Sequence, residues 1–179
     1  MSTPVVPVTV VVAFYSRCGT TETRALTAAV GSVNARALIR MRRMPDAPGG
    51  SARAPDCAAE TARMRKEYVP PTEADIVGAD ALIVAVPPDA GVSAAEWTPL
   101  TRMLEALASR GQVRGKVAAV VGGGDAAANL AFASTLEHLG FVMVPVDAVA
   151  AEAGAPGSLS HARAHGRLVA ETSRTRKSG

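Results

Sequence analysis

The stretch Val8-Thr9-Val10-Val11-Val12-Ala13-Phe14-Tyr15-Ser16-Arg17-Cys18-Gly19-Thr20-Thr21-Glu22-Thr23 decides the fold. Residues 8–15 form a nearly unbroken apolar run rich in β-branched side chains. Such a run reads as a central strand covered on both faces, the signature of a parallel sheet. A short hydroxyl-rich turn with one glycine follows at once, and residues 22–30 then take helical spacing. A strand, a tight turn and a helix N-terminus together make an anion site. The first backbone N–H groups of the helix lack partners and point into the turn, at the positive end of the helix dipole. Ser16, Thr20 and Thr21 add hydroxyl donors. Arg17 either contacts the anion or is solvated.

The rest of the chain repeats this unit. Gly31 or Asn34 is expected to stop the first helix, and residues 35–41 form a second strand. Residues 42–71 have no sustained period and carry seven Pro or Gly breakers. They read as a long excursion with one short helix near 57–66. Thr72-Glu73-Ala74-Asp75 starts another short helix. Residues 80–86 form a buried strand closed by Pro87-Pro88. Ser93-Ala94-Ala95-Glu96 reads as a capping box opening a helix with Trp97, Leu100, Met103, Leu104 and Leu107 on its apolar stripe. Pro99 must then lie in or near the first turn. A strand at 116–121 leads to Gly122-Gly123-Gly124-Asp125 and a helix to about residue 139. A last strand at 141–146 and a helix capped by Ser158 or Ser160, running to about residue 173, end the order. Strands alternating with helices imply a parallel sheet with helices on both faces. Ligands in such sheets sit at the carboxyl ends of the strands. Three loops leave such ends: 16–21, 87–92 and 122–125.

Composition limits the function classes. The chain has 179 residues, 48% hydrophobic and 20% charged, with a net charge of +3. That suits one α/β domain spanning residues 1–179, with 1–7 and 174–179 as frayed ends. The charge is too small to suggest a nucleic-acid partner. No apolar run is long enough to cross a membrane, and residues 1–7 have no charged leader. Cys18 and Cys57 show neither metal nor disulfide-framework spacing, so a reducing cytoplasm is expected. His161 and His165 stand four apart on the last helix. With no third ligand in view they read as surface residues, and no metal is expected. Glycines 122–124 lack the dinucleotide fingerprint spacing. Cys18 and Arg24 stand six apart, as in the loop of cysteine phosphatases. Glu22 inside that loop and the lack of an Asp-Pro pair argue against phosphatase chemistry.

Several segments together resemble the flavodoxin-like fold, and within it the WrbA-type NAD(P)H:quinone oxidoreductases. Residues 15–23 match that family's Tyr-Ser-x-x-Gly-x-x-Glu-Thr phosphate loop. Arg42-Arg43-Met44-Pro45-Asp46 resembles its Arg-x-Val-Pro-Glu segment. Residues 79–83 with 87–91 resemble its second-loop stretch, Gly115-Lys116 its "Gly-Lys", residues 135–145 its "Leu-x-His-His-Gly-Met-x-x-Val-Pro", and residues 164–171 its final helix. The resemblance implies a three-layer sandwich around a five-stranded parallel sheet of order 2-1-3-4-5. It implies an FMN cofactor, NAD(P)H as co-substrate, a quinone as acceptor, and a homo-oligomer, dimer or tetramer. Ser16, Arg17, Cys18, Gly19, Thr20 and Thr21 would hold the phosphate. Pro88, Asp89, Ala90, Gly122, Gly123 and Gly124 would border the flavin ring, and His138 would lie near it as the catalytic residue. The cofactor supplies the redox chemistry in such proteins.

The chain departs from that pattern at the ring end. The family's Thr-Arg-Phe is Pro88-Asp89-Ala90 here, and its Asn after glycine is Val92. The hydroxyl-rich run before the family's third-loop glycines is deleted. The aromatic of the first loop is Cys18, and the long insertion before the last helix is cut to residues 148–157. Aromatic burial of a flavin ring is thereby reduced. A second reading follows from these losses: a flavin-free binding or regulatory protein on the same fold.

Overall fold

A computed structural model describes residues 6–48, 55–88, 94–122, 126–144, 149 and 157–179. Five parallel strands stand in the order β2-β1-β3-β4-β5. They are β1 (Val8–Phe14), β2 (Ala37–Arg43), β3 (Ala81–Val86), β4 (Val117–Gly122) and β5 (Val142–Met143). The helices are α1 (Thr20–Asn34), α2 (Ala58–Glu67), α3 (Glu73–Gly78), α4 (Thr98–Ser109), α5 (Ala126–His138) and α6 (Leu159–Ser178). This is the α/β sandwich and strand order expected from the sequence.

Strand periodicity builds two cores. Even-numbered β1 residues Val8, Val10, Val12 and Phe14 face α1 and α6, where Ala25, Ala28 and Val169 meet them. Odd-numbered Val11, Ala13 and Tyr15 face α4 and α5, against Leu100, Leu104, Phe132 and Leu136. Val10 to Phe14 pair with Ala81 to Ala85, and Ala81 to Val86 with Val117 to Gly122. β1, β3 and β4 therefore end level, and their following loops share one edge.

Local signals place several elements as expected. Thr72 and Asp75 form a reciprocal capping box on α3. Ser158 caps α6, its Oγ accepting from His161 N at 3.1 Å. Three expectations need correction, and one choice is decided. α4 starts at Thr98 with Pro99 in its first turn, because residues 94–97 form a turn closed by Trp97 N donating to Ala94 O at 2.9 Å; Ser93 lies outside the described residues. α1 ends at Asn34, one of the two expected stops, and not at Gly31. Gly31 sits inside the helix, where a Cβ would lie 2.0 Å from the Arg163 carbonyl oxygen of α6. Residues 174–178 are not frayed. They continue α6, with Arg176 donating to Gly115 O at 3.3 Å and Lys177 paired to Asp80 at 3.0 Å. The last strand is shorter than expected, and residues 145 and 146 lie outside the described residues.

Among the described residues no helix is long and apolar enough to cross a membrane.

Candidate functional site

The turn between β1 and α1 is shaped by its own side chains. Gly19 takes φ 87°, a left-handed conformation that glycine adopts without penalty. Ser16 is buried, and its Oγ accepts from Gly19 N at 3.0 Å. The backbone thus curls so that the first turn of α1 faces the opening. Tyr15 beneath it is fully buried, with the Arg17 and Arg43 guanidinium groups 5.9 and 5.6 Å from its ring centre. Burial raises the Tyr15 pKa, a hydrogen bond from Arg17 opposing it.

The segment read as a long excursion, whose short helix is α2, is the clamp on this turn. Arg43, only 4% exposed, donates to Ser16 O at 3.0 Å and to Asp46 Oδ1 at 2.9 Å. Thr61 Oγ1 donates to Arg17 O at 3.0 Å. Cys57, just before α2, is disulfide-bonded to Cys18, with Cα atoms 4.9 Å apart. This corrects the reading of two unpaired thiols: a separation of 39 positions carries no spacing signal, and the fold brings the two together. The inference of a reducing compartment drawn from them falls with it.

Charge around the turn is balanced by the same clamp. Glu22, in the first turn of α1, is buried and accepts from Arg63 and from Tyr68 Oη at 2.7 Å. Burial pushes its carboxyl up. The hydrogen bonds from Arg63 and Tyr68 outweigh that, and the pKa is held below the ordinary value. The Tyr68 hydroxyl is pushed up to about 12 by burial and by Glu22. Asp46 follows the same pattern. Its burial is outweighed by Arg43 and Arg65, and its carboxyl stays ionised below the usual range.

Six of the expected site residues come together. Ser16, Arg17, Cys18, Thr20, Thr21 and Pro88 line one cleft of about 220 Å³ between the ends of β1 and β3, with Tyr15 and Pro87. Gly19 lies on the adjoining wall, where Cys18, Thr20, Glu22, Arg24, Glu60 and Arg63 enclose about 680 Å³. Gly122 ends β4 on the same edge but opens on a different cavity. Asp89, Ala90, Gly123 and Gly124 lie outside the described residues.

His138 is not among the residues brought together. It is exposed at the C-terminal end of α5, its Nδ1 2.7 Å from Ser134 O. Just beyond it Gly115 N donates to Gly140 O, and Val142 N to Lys116 O. His138 is therefore beside the start of β4, at the edge opposite the turn. The physical reason is connectivity. A helix that returns the chain for another parallel strand ends where that strand must begin. The catalytic role expected for His138 is withdrawn within this chain. The expectation of surface histidines on α6 also fails: His161 and His165 are buried. Trp97 is a packing residue, fully buried in edge contact with Phe132 at 5.2 Å. Among the described residues no cluster of three or more His, Cys, Asp or Glu could hold a metal.

Sequence reasoning missed Arg43, Asp46, Thr61, Arg63 and Tyr68, which all lie in or beside the excursion. Arg43 and Asp46 stand in the stretch Arg42-Arg43-Met44-Pro45-Asp46, but nothing local marks their contact with the turn.

A curled turn and helix N-terminus at the carboxyl edge of a parallel sheet of order 2-1-3-4-5 define the flavodoxin-like fold. Solved structures agree. The chain is similar to a flavodoxin, WrbA-like protein from Agrobacterium tumefaciens, with 18% identity, TM-score 0.59, and 94% of this chain and 98% of that one covered. It is similar to the two-electron reduced flavodoxin of Megasphaera elsdenii at 16% identity and TM-score 0.59, covering 90% and 98%. It is also similar to FerB of Paracoccus denitrificans, a flavoenzyme NAD(P)H:(acceptor) oxidoreductase, at 18% identity and TM-score 0.52, covering 94% and 96%. Identities at this level show a shared fold. No protein-family model matches the chain, and no curated protein matches it.

Proposed function

We propose that this protein binds FMN, with the phosphate in the turn at residues 16–21, and serves as an NAD(P)H:quinone oxidoreductase. One observation carries the reading. The turn brings together a φ-positive Gly19, hydroxyls at Thr20 and Thr21, and the N-terminus of a 15-residue helix, a combination that suits an anion. These residues fit a phosphate group. Ser16, Arg17, Cys18, Gly19, Thr20 and Thr21 would hold it, and Pro88 and Gly122 sit on the edge where a ring would lie. FMN, when bound, supplies two-electron redox chemistry. The chain's own part is to place and shield it. The resemblance of residues 15–23 to the WrbA-type phosphate loop supports the quinone assignment, and FerB supports the nicotinamide.

A flavin-free binding module is the competing reading. It is favoured by Glu22 and Glu60, whose carboxylate oxygens stand 3.9 Å from the Cβ position at Gly19 and would oppose a dianion. Arg63 bonds to both carboxylates, and Arg24 lines the same wall, which offsets the repulsion.

Titration with FMN, followed by quenching of flavin fluorescence, separates the two. Thr20→Glu is the control. Thr20 is exposed in the first helical turn, where an acid favours the helix dipole, so the fold is expected to persist. Saturable binding by the natural protein and loss of at least about tenfold in the variant are expected, from like-charge repulsion at the anion site. Absence of binding in the natural protein establishes the flavin-free reading, and equal affinities in the two proteins overturn the site assignment.

A further inference from the structure

Two buried imidazoles on α6 have no role in the site described above. His161 and His165 are one turn apart, 6% and 2% exposed, and their rings meet edge to face at 4.5 Å. His161 Nε2 is buried with no hydrogen-bond partner among the described residues. His165 Nδ1 makes no well-formed hydrogen bond either, although the His161 carbonyl one turn back draws on its ring. Buried polar atoms are rarely left so, because each lost water contact costs about 1–3 kcal/mol. An apolar residue at either position would avoid that cost.

Both rings line a cavity of about 480 Å³ between α5 and α6. Among the described residues the β4–β5 pairing runs from Val117 with Val142 to Ala118 with Met143, and Val120, two residues further along β4, lines the cavity. The walls are mostly apolar, with Val120, Leu130, Met143 and Val144, and Asn129 is a further polar group. That volume and mixture match ordinary small-molecule sites. Burial lowers the basicity of both rings, and the His161 ring adds to the effect at His165, whose pKa falls to about 4. The imidazoles are therefore uncharged at neutral pH, and Glu137, the ionisable group on the same wall, is exposed. Such a cavity disfavours an anion and does not supply three ligands to a metal.

We propose that this cavity is a second ligand site, distinct from the turn at residues 16–21, for a small uncharged aromatic molecule bearing a hydroxyl or carbonyl group, which His161 Nε2 engages by hydrogen bonding. A neutral imidazole nitrogen accepts from a hydroxyl in one tautomer and donates to a carbonyl in the other. The apolar walls take the ring. The proposal does not depend on the flavin reading.

The test uses 2-naphthol as probe and naphthalene as its hydroxyl-free counterpart, in fluorescence titrations of the full chain at neutral pH. Saturable one-to-one binding of 2-naphthol is expected, with naphthalene about tenfold weaker. Excess FMN should leave the 2-naphthol isotherm unchanged. His161→Phe should bring 2-naphthol down to the affinity of naphthalene. Ala133→Leu, which narrows the same cavity without touching either imidazole, should weaken both probes by about tenfold or more, and it decides the matter if the histidine variant does not fold. Failure to saturate up to the solubility of 2-naphthol overturns the proposal. So do equal affinities for the two probes, displacement by FMN, or unchanged binding in Ala133→Leu.

Discussion

Replacing Gly166 by alanine tests the packing on which the whole α1–α6 layer rests. A Cβ at Gly166 would lie 1.8 Å from the Ala28 carbonyl oxygen and 2.7 Å from its carbon. Both are backbone atoms, so no side-chain rotation relieves the clash. The helices must part by roughly 1.5 Å to restore ordinary contact. Overpacking of this kind costs about 1–3 kcal/mol or more. Parting the helices also weakens the hydrogen bond from Ser32 Oγ to Gly166 O, now 2.7 Å long, for about another 1 kcal/mol. Better helix propensity of alanine returns about 1 kcal/mol. The net loss is about 1–3 kcal/mol, a fall in Tm of about 2–12 °C for a domain of this size. Thermal and urea denaturation followed by circular dichroism read it directly. Gly78→Ala is the control: its Cβ would meet only Arg40 Nη1 at 3.9 Å, and a change within about 0.5 kcal/mol is expected. Gly31→Ala, facing Arg163 across the same crossing, should cost a similar amount. The double variant should cost less than the two together, since the helices part only once. A Gly166→Ala protein as stable as the natural one would refute the reasoning, and so would a more stable one, which is what helix propensity alone predicts.

Two further predictions follow from burial and from the cross-link. His165 has its folded pKa depressed to about 4, below the unfolded value of about 6.5, so the unfolded chain binds the proton first. Its contribution is complete above pH 6.5 and is lost as pH falls toward 4, about 3 kcal/mol in all; urea midpoints that stay level from pH 7 to pH 4.5 would contradict its burial. Glu22, Asp46 and Asp75 are also held below their ordinary values, so their share is lost only at lower pH, which keeps the windows apart. Cys18→Ser should lower stability by about 2–4 kcal/mol, the range for a loop of this length, and reductant should reproduce the loss in the natural protein. Alkylation of the unreduced, unfolded chain should label neither cysteine, and labelling of both would remove the cross-link from the account.

Strand order and layers were readable because each strand is a short apolar run bounded by breakers, and consecutive parallel strands admit few arrangements. The caps at Thr72 and Ser158 are local chemistry and were equally readable. The burial of α6 also leaves a signal in the sequence. Ala162, His165, Gly166, Val169, Ala170 and Ser173 recur at three- and four-residue intervals, one helical face of small groups. The position of His138 was also deducible, since connectivity alone sends the end of α5 to the far edge.

Local sequence settled where the chain is extended, where it coils, and that a hydroxyl-rich turn with one glycine joins the first strand to the first helix. These depend on neighbours within a few residues: β-branched runs, hydroxyl caps and one glycine free to take a positive φ. Tertiary structure alone decided what surrounds that turn. Cys18 and Cys57, Glu22 and Arg63, Ser16 and Arg43 are partners 27 to 41 positions apart. Nothing in their local spacing marks them as such, because the contact exists only after β2 has paired with β1 and carried the following segment back over the sheet edge. The same holds for the cavity of His161 and His165. Its walls come from β4, α5 and α6, an arrangement no single stretch of the chain encodes.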